Sequence, residues 1–316
     1  MENTLLVGNG LNRTISDIAW GNLLESIASV FDVEYNPKIS MPLEFERIVN
    51  ARMKKNFDSP TVNSTISSAK KMVADEIKKF TLPHEAIHRN LPKLNMNNVI
   101  TTNYDYMLEY AFDDGYKYDN TLLKKYLFEN TCTINGTDFY HIHGVCHNTN
   151  SMCLGYEHYM GLVEHLRADL NTKKDNKLTE MAIKRILYGE DSPKNTWGEK
   201  FYTSNIAIVG LELSDAEADL WWLITHRAFL YYSDYCHLRQ REKLDNKIVF
   251  YDVIDSRKSG NSGEKNYREK KVIEKRVRHK LLKDEHVEVK VYEVGKKFES
   301  YPEAYEQIIE DIRADL

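Results

Sequence analysis

Short apolar runs rich in Val, Ile and Leu alternate along this chain with longer stretches whose apolar residues recur every three to four positions. That is the alternation of buried strands with amphipathic helices. The first run, residues 4–7, empties into Gly8-Asn9-Gly10-Leu11-Asn12, after which Ile18, Trp20, Leu23, Leu24, Ile27 and Val30 keep helical spacing. Residues 37–95 change character: five prolines, from Pro37 to Pro92, punctuate helical segments at 43–53 and 66–80, with no strand pattern among them. A second apolar run, 98–101, delivers Thr102-Asn103-Tyr104-Asp105, and a helix over 106–112 follows at once. Strands over 131–134 and 139–143 flank Asn135-Gly136, a strong hairpin signal. Residues 151–154 read as a short strand, and 156–170 and 179–187 as helices. A buried-type strand over 205–209 then runs into Gly210-Leu211-Glu212-Leu213-Ser214-Asp215. Ser214 or Asp215 would cap a helix over 216–230. A strand over 247–254 closes on Asp255, a polar loop covers 257–271, a basic amphipathic helix 272–282, a strand 287–292 and a last helix 301–312. The order predicts one α/β domain over 1–316, Rossmann-like, with a mostly parallel sheet flanked by helices and a helical insertion at 37–95.

Composition narrows the class. The chain has 316 residues, 42% hydrophobic and 29% charged, enough for a sizeable core. A net charge of -5 argues against direct nucleic-acid binding, which calls for a basic balance. No apolar run approaches the roughly 20 residues that span a bilayer, and the start Met1-Glu2-Asn3-Thr4 lacks a basic leader. The expected location is the cytoplasm. Cys132, Cys146, Cys153 and Cys236 contain no CxxC pair, so they read as reduced, packed thiols and not as a structural zinc set.

Candidate chemistry sits where strands end. In open α/β sheets ligands bind outside the carboxyl ends of the strands. Asn103 and Asp105 either aim into such a crevice or cap the helix that follows. Gly8 and Gly10 either turn a backbone loop toward a diphosphate, amides first, or form an ordinary turn. His141 and His143, two apart on a strand, would face one side. Metal ligation by the pair lacks a partner at a recognised zinc spacing, so no metal is expected.

The succession strand-GNG-helix, strand-TTNYD-helix, strand-HIHG, strand-GLELSD-helix resembles the sirtuin-like domain. The resemblance is to the divergent bacterial branch that acts as an NAD-hydrolysing effector in anti-phage defence. The corresponding sirtuin signatures are GAG, TQNID, HG and a GTS-type loop, and Trp20-Gly21-Asn22-Leu23-Leu24 is similar to the W-x-x-L-L helix start of that branch. The likeness spans nearly the whole chain apart from the insertion. The departures are the missing CxxC pairs of the zinc module, Arg13-Thr14-Ile15-Ser16-Asp17 in place of the PDFR segment, Thr102 for the glutamine of TQNID, and Glu212 where a small hydroxyl residue is usual.

The resemblance implies NAD glycohydrolase activity, giving nicotinamide and ADP-ribose. Asn103 would position water near ribose C1′, Asp105 would contact the nicotinamide carboxamide, and His143 would be the general base, with His141 as fallback. Gly8, Gly10 and Ser214 would contact the diphosphate or a ribose, Asp255 the adenosine ribose, while Asn9, Asn12, Thr102 and Gly210 would complete the NAD site. Without the zinc module, protein deacylation is disfavoured. The alternative is a non-catalytic NAD or ADP-ribose sensor or scaffold, favoured by Glu212 and the altered first loop. Restraint of such an enzyme implies a homo-oligomer, or a partner ATPase or nucleic-acid-guided sensor of the same system.

Overall fold

β1 (Glu2–Val7) lies in the middle of a sheet and is hydrogen-bonded on both sides, to β2 (Asn98–Thr101) and to β5 (Ser204–Val209), each in parallel. The computed structural model describes residues 1–15, 20–55, 62–118, 124–170, 195–233, 242–257 and 262–316. Among these, seven strands form one sheet in the order β3-β4-β2-β1-β5-β6-β7, where β3 is Cys132–Ile134, β4 Thr137–His141, β6 Ile248–Asp255 and β7 Glu288–Val294. Every neighbouring pair is parallel except β3 with β4. Leaving out β3, this is the doubly wound dinucleotide-fold order, and its topological switch point lies between β1 and β5. The fold is α/β and Rossmann-like.

Covered on both faces, the central strands can be apolar without alternation. Leu6, Ile100, Ile208 and Phe250 face α5 (Tyr156–Leu170), α6 (Trp197–Thr203), α7 (Ala218–Tyr232) and the end of α8 (Ser262–Asp284). Leu5, Val7, Val99 and Val209 face α9 (Tyr301–Asp315), Leu108 of α4 (Met107–Phe112) and the 3-10 segment Ile87–Leu94. A third core joins α1 (Trp20–Val30), α2 (Met41–Lys55) and α3 (Val62–Ile77) to Tyr104, Tyr106 and Val145, at the carboxyl edge of the sheet. The described helices of 37–95 therefore cover the ends of β2 and β4.

Several expected boundaries move, each for a local reason. The hairpin turn forms at Asn135-Gly136, both at positive φ (51° and 83°), as a tight two-residue turn requires. β4, however, ends at His141, so His143 belongs to the turn beyond it and the two histidines share no strand face. Residues 151–154 form no strand; Thr149–Ser151 is a 3-10 turn. The loop expected over 257–271 is helical from Ser262, because Arg268 meets Glu264 (3.7 Å), Lys270 meets Glu274 (3.8 Å), and Lys271 and Lys275 reach Glu212 and Asp252. The helix expected at 216 begins at Ala218, preceded by Glu217 and with no side-chain cap; the Glu217 carboxylate accepts the Ser214 amide at 2.7 Å. The helix expected over 179–187, and Cys236, lie outside the described residues.

Gly144 fixes the turn that carries His143. Its φ is +94°, and a Cβ there would stand 2.2 Å from the Ser151 carbonyl oxygen and 2.7 Å from the Met152 nitrogen, both backbone. Gly144→Ala is expected to cost about 3 kcal/mol, the sum of overpacking against backbone and a disfavoured φ. Urea unfolding of the variant measures it.

Candidate active site

β1, β2, β4 and β5 end side by side, and the loops that leave them are bound to one another. Gly8 donates its amide to the Val209 carbonyl (2.9 Å) and Gly10 donates to the Gly210 carbonyl (2.7 Å). A Cβ on Gly8 would sit 2.6 Å from the Gly210 oxygen, and one on Gly10 2.5 Å from the Tyr305 hydroxyl. Gly210 itself is at φ +67°. These glycines thus answer to the packing of one loop on the other. In this structure the two N–H groups expected to face a diphosphate are given to the end of β5 and to the residue after it.

The stretch after β2 is held from several directions. Thr101 donates its hydroxyl to the Val7 carbonyl (2.9 Å) and accepts the Asn103 amide (3.0 Å). Asp105 accepts the Met107 amide with one oxygen (2.9 Å) and the Asn12 side-chain amide with the other (2.7 Å). It therefore closes the turn into α4 and also faces inward. Burial pushes the Asp105 carboxyl up from its ordinary range, with the Met107 amide opposing. Because Asn12 gives its N–H to Asp105, its oxygen accepts, and buried His88 donates from Nε2 at 2.9 Å. Burial holds His88 down to about 4, so it stays neutral.

His141 backs this segment. Nδ1 meets the Asn103 carbonyl at 2.9 Å and Nε2 meets Glu109 at 2.6 Å, with both side chains fully buried. An acceptor at each nitrogen is the arrangement that a doubly protonated ring satisfies. Burial pushes it down, but the Glu109 charge and hydrogen bond outweigh this and raise it above the ordinary histidine value. That counts against His141 as a base, since an imidazole with both nitrogens donating takes no proton from a substrate.

Asn9, Thr102, Asn103, Tyr104 and Asp105 line one small open cavity, of about 50 Å³, with Leu23 of α1, Ile77 of α3 and Phe80. The insertion thus supplies an apolar wall opposite the polar strand end. Among the described residues the Asn103 side-chain nitrogen is buried and has no partner.

His143 is not among the residues of that wall. Its Nε2 lies 2.9 Å from Asp219, both groups buried, and its ring stands edge-on to Tyr159 at 5.0 Å. The connection to the cavity runs through Tyr104, which lines it, donates its hydroxyl to the Cys153 carbonyl (2.6 Å) and hydrogen-bonds Tyr159. The two segments leave the sheet together, since Ile142 donates to the Thr101 carbonyl at 3.0 Å. Glu217 adds a second acid beside the histidine: burial pushes it up to about 7, with the His143 charge opposing.

The outer residues have other partners. Glu212 pairs with Lys271 at 2.9 Å, turning toward α8. Asp255 pairs with Arg257 at 2.7 Å; burial raises its carboxyl, but the Arg257 hydrogen bonds hold it below the usual range. Sequence reasoning missed His88, Glu109 and Tyr104, and also Glu217 and Asp219, the two acids that face His143. An acid near the start of a helix that follows a strand-end loop was the available signal for Asp219.

Residues 97–222 match the family model described as SIR2-like domain. The matched segment runs from β2 into α7 and contains Asn103, Asp105, His141, His143 and Asp219. No curated protein matches the chain at a significant level. No helix among the described residues is long and apolar enough to cross a membrane.

Proposed function

We propose that this chain is an NAD glycohydrolase, since residues 97–222 match the model of the SIR2-like domain, a class that binds NAD and is typically NAD-dependent. It would cleave the nicotinamide–ribose bond to give nicotinamide and ADP-ribose. The observation that carries the reading is the Asn103 amide, buried without a partner in a cavity wall it shares with Asp105. A buried donor left unpaired costs about 1–3 kcal/mol, and a ligand acceptor would relieve that cost. In the proposed reaction Asn103 orients the attacking water, Asp105 holds the carboxamide, and the Leu23, Ile77 and Phe80 wall excludes bulk water from the site. His143 takes the proton. Stabilising charge at the breaking bond in a dry pocket is the main source of rate in such a site. The anti-phage setting, and control through self-assembly or a partner ATPase or nucleic-acid-guided sensor, are supported by the motif resemblance alone.

Purified chain incubated with NAD at several protein concentrations is expected to release nicotinamide and ADP-ribose in equal amounts. His143→Ala should lower the rate by about 10²–10⁴, the usual contribution of a general base. NAD bound intact, with no turnover at any concentration, would reject the enzyme reading.

A second reading, a non-catalytic NAD or ADP-ribose sensor, is favoured by one observation. Three backbone donors at the switch point are occupied, Gly8 by the Val209 carbonyl, Gly10 by the Gly210 carbonyl and Ser214 by the Glu217 carboxylate. Calorimetry showing NAD binding without consumption would favour it.

A further inference from the structure

Asp219 stands in the first turn of α7, where the aligned backbone dipoles favour a negative charge. It is fully buried, and one oxygen meets His143 Nε2 at 2.9 Å while the other, Oδ1, has no partner. Among the described residues the Asp219 carboxylate therefore makes one hydrogen bond, and it is to this ring. A carboxylate only accepts, so neutral His143 carries its proton on Nε2. No described residue hydrogen-bonds Nδ1.

We infer that Asp219 is a positioning residue for the proposed NAD cleavage: it fixes the His143 tautomer so that Nδ1 is the atom that accepts the proton. The inference rests on the glycohydrolase reading of the site. In the step, water adds its oxygen to the ribose carbon as the carbon–nitrogen bond breaks, and nicotinamide leaves neutral with that bonding pair. The water proton passes to Nδ1 and from there to solvent, so one water is consumed and one proton released per NAD. Asp219 keeps the Nε2 proton and stabilises the imidazolium that forms, the arrangement by which a buried acid orients a histidine base. Glu217 from the same helix start, Tyr159 from α5 and Cys153 from the loop after β4 complete the groups around the pair.

The test is Asp219→Asn, with Asp219→Glu as rescue, read by nitrogen NMR of the His143 ring and by steady-state kinetics on the full chain. The wild type should show the Nε2–H tautomer. In Asp219→Asn the amide can donate to Nε2 and turn the ring over, so the tautomer should switch and kcat should fall by about 10³–10⁴ while KM changes little. Asp219→Glu should restore the tautomer and part of kcat. An unchanged tautomer with unchanged kcat in Asp219→Asn, with wild type active, overturns the inference, as does a KM effect without loss of kcat. A wild type inactive on NAD rejects the glycohydrolase reading instead, and the NMR tautomer still reports whether Asp219 sets the ring.

Discussion

Asn103→Ala is expected to lower kcat for NAD cleavage by about 10²–10³, the cost of removing one preorganised polar group at a reacting centre, without lowering the melting temperature. The two halves of the expectation come from the same atom. The Asn103 side-chain nitrogen is buried and has no partner among the described residues, so deleting it removes a desolvation cost of about 1–3 kcal/mol. That gain offsets the packing lost with the side chain. Asn103→Asp, similar in size, should behave differently: it sets a second buried carboxylate near Asp105, whose own carboxyl burial already pushes up, and should destabilise the fold. Nicotinamide release and thermal melts on the two variants separate the roles. Wild-type turnover in Asn103→Ala would remove Asn103 from the chemistry, and a large fall in melting temperature would make it a structural residue.

What the sequence carried well was local pattern. The apolar runs at β1, β2 and β5 announce strands covered on both faces, because parallel strands in a doubly wound sheet have no solvent side. Asn135-Gly136 announces its turn because both residues tolerate positive φ. The cavity residues Asn9, Thr102, Asn103 and Asp105 follow from the rule that ligands meet strand ends. What it could not carry was the choice among partners distant in the chain. Nothing local distinguishes a glycine amide aimed at an anion from one donated to a strand more than 190 residues away, as with Gly8 and Val209. Nor does the pair HIH say which ring meets Glu109 on α4 and which meets Asp219 on α7, since that depends on β4 ending at His141. The polar run at 262–271 looked like a loop because its helix is held by ion pairs to Glu212 and Asp252, residues of other elements.

Glu109→Ala is expected to cost about 3–5 kcal/mol of stability at low pH, because removing one member of a buried ion pair strands the other. His141 and Glu109 are both fully buried and 2.6 Å apart, and the other ring nitrogen holds the Asn103 carbonyl. The pH dependence gives the sign. The folded protein holds His141 above its unfolded value of about 6.5, although burial alone would lower it. This contribution is therefore complete below the unfolded value and is lost as pH rises through the folded value. Without Glu109 the ring has no reason to stay charged, so the variant loses that contribution at every pH. The stability gap between wild type and variant should be widest in mild acid and should narrow as pH rises. Glu109→Gln, which keeps an acceptor for Nε2 but not the charge, should fall between them. Urea unfolding across a pH series on the three proteins measures this, and a gap that does not change with pH would mean that His141 is neutral in the fold. Because the same ring anchors the Asn103 backbone, Glu109→Gln that remains folded should also lose NAD turnover, through displacement of the amide and not through loss of a reacting group.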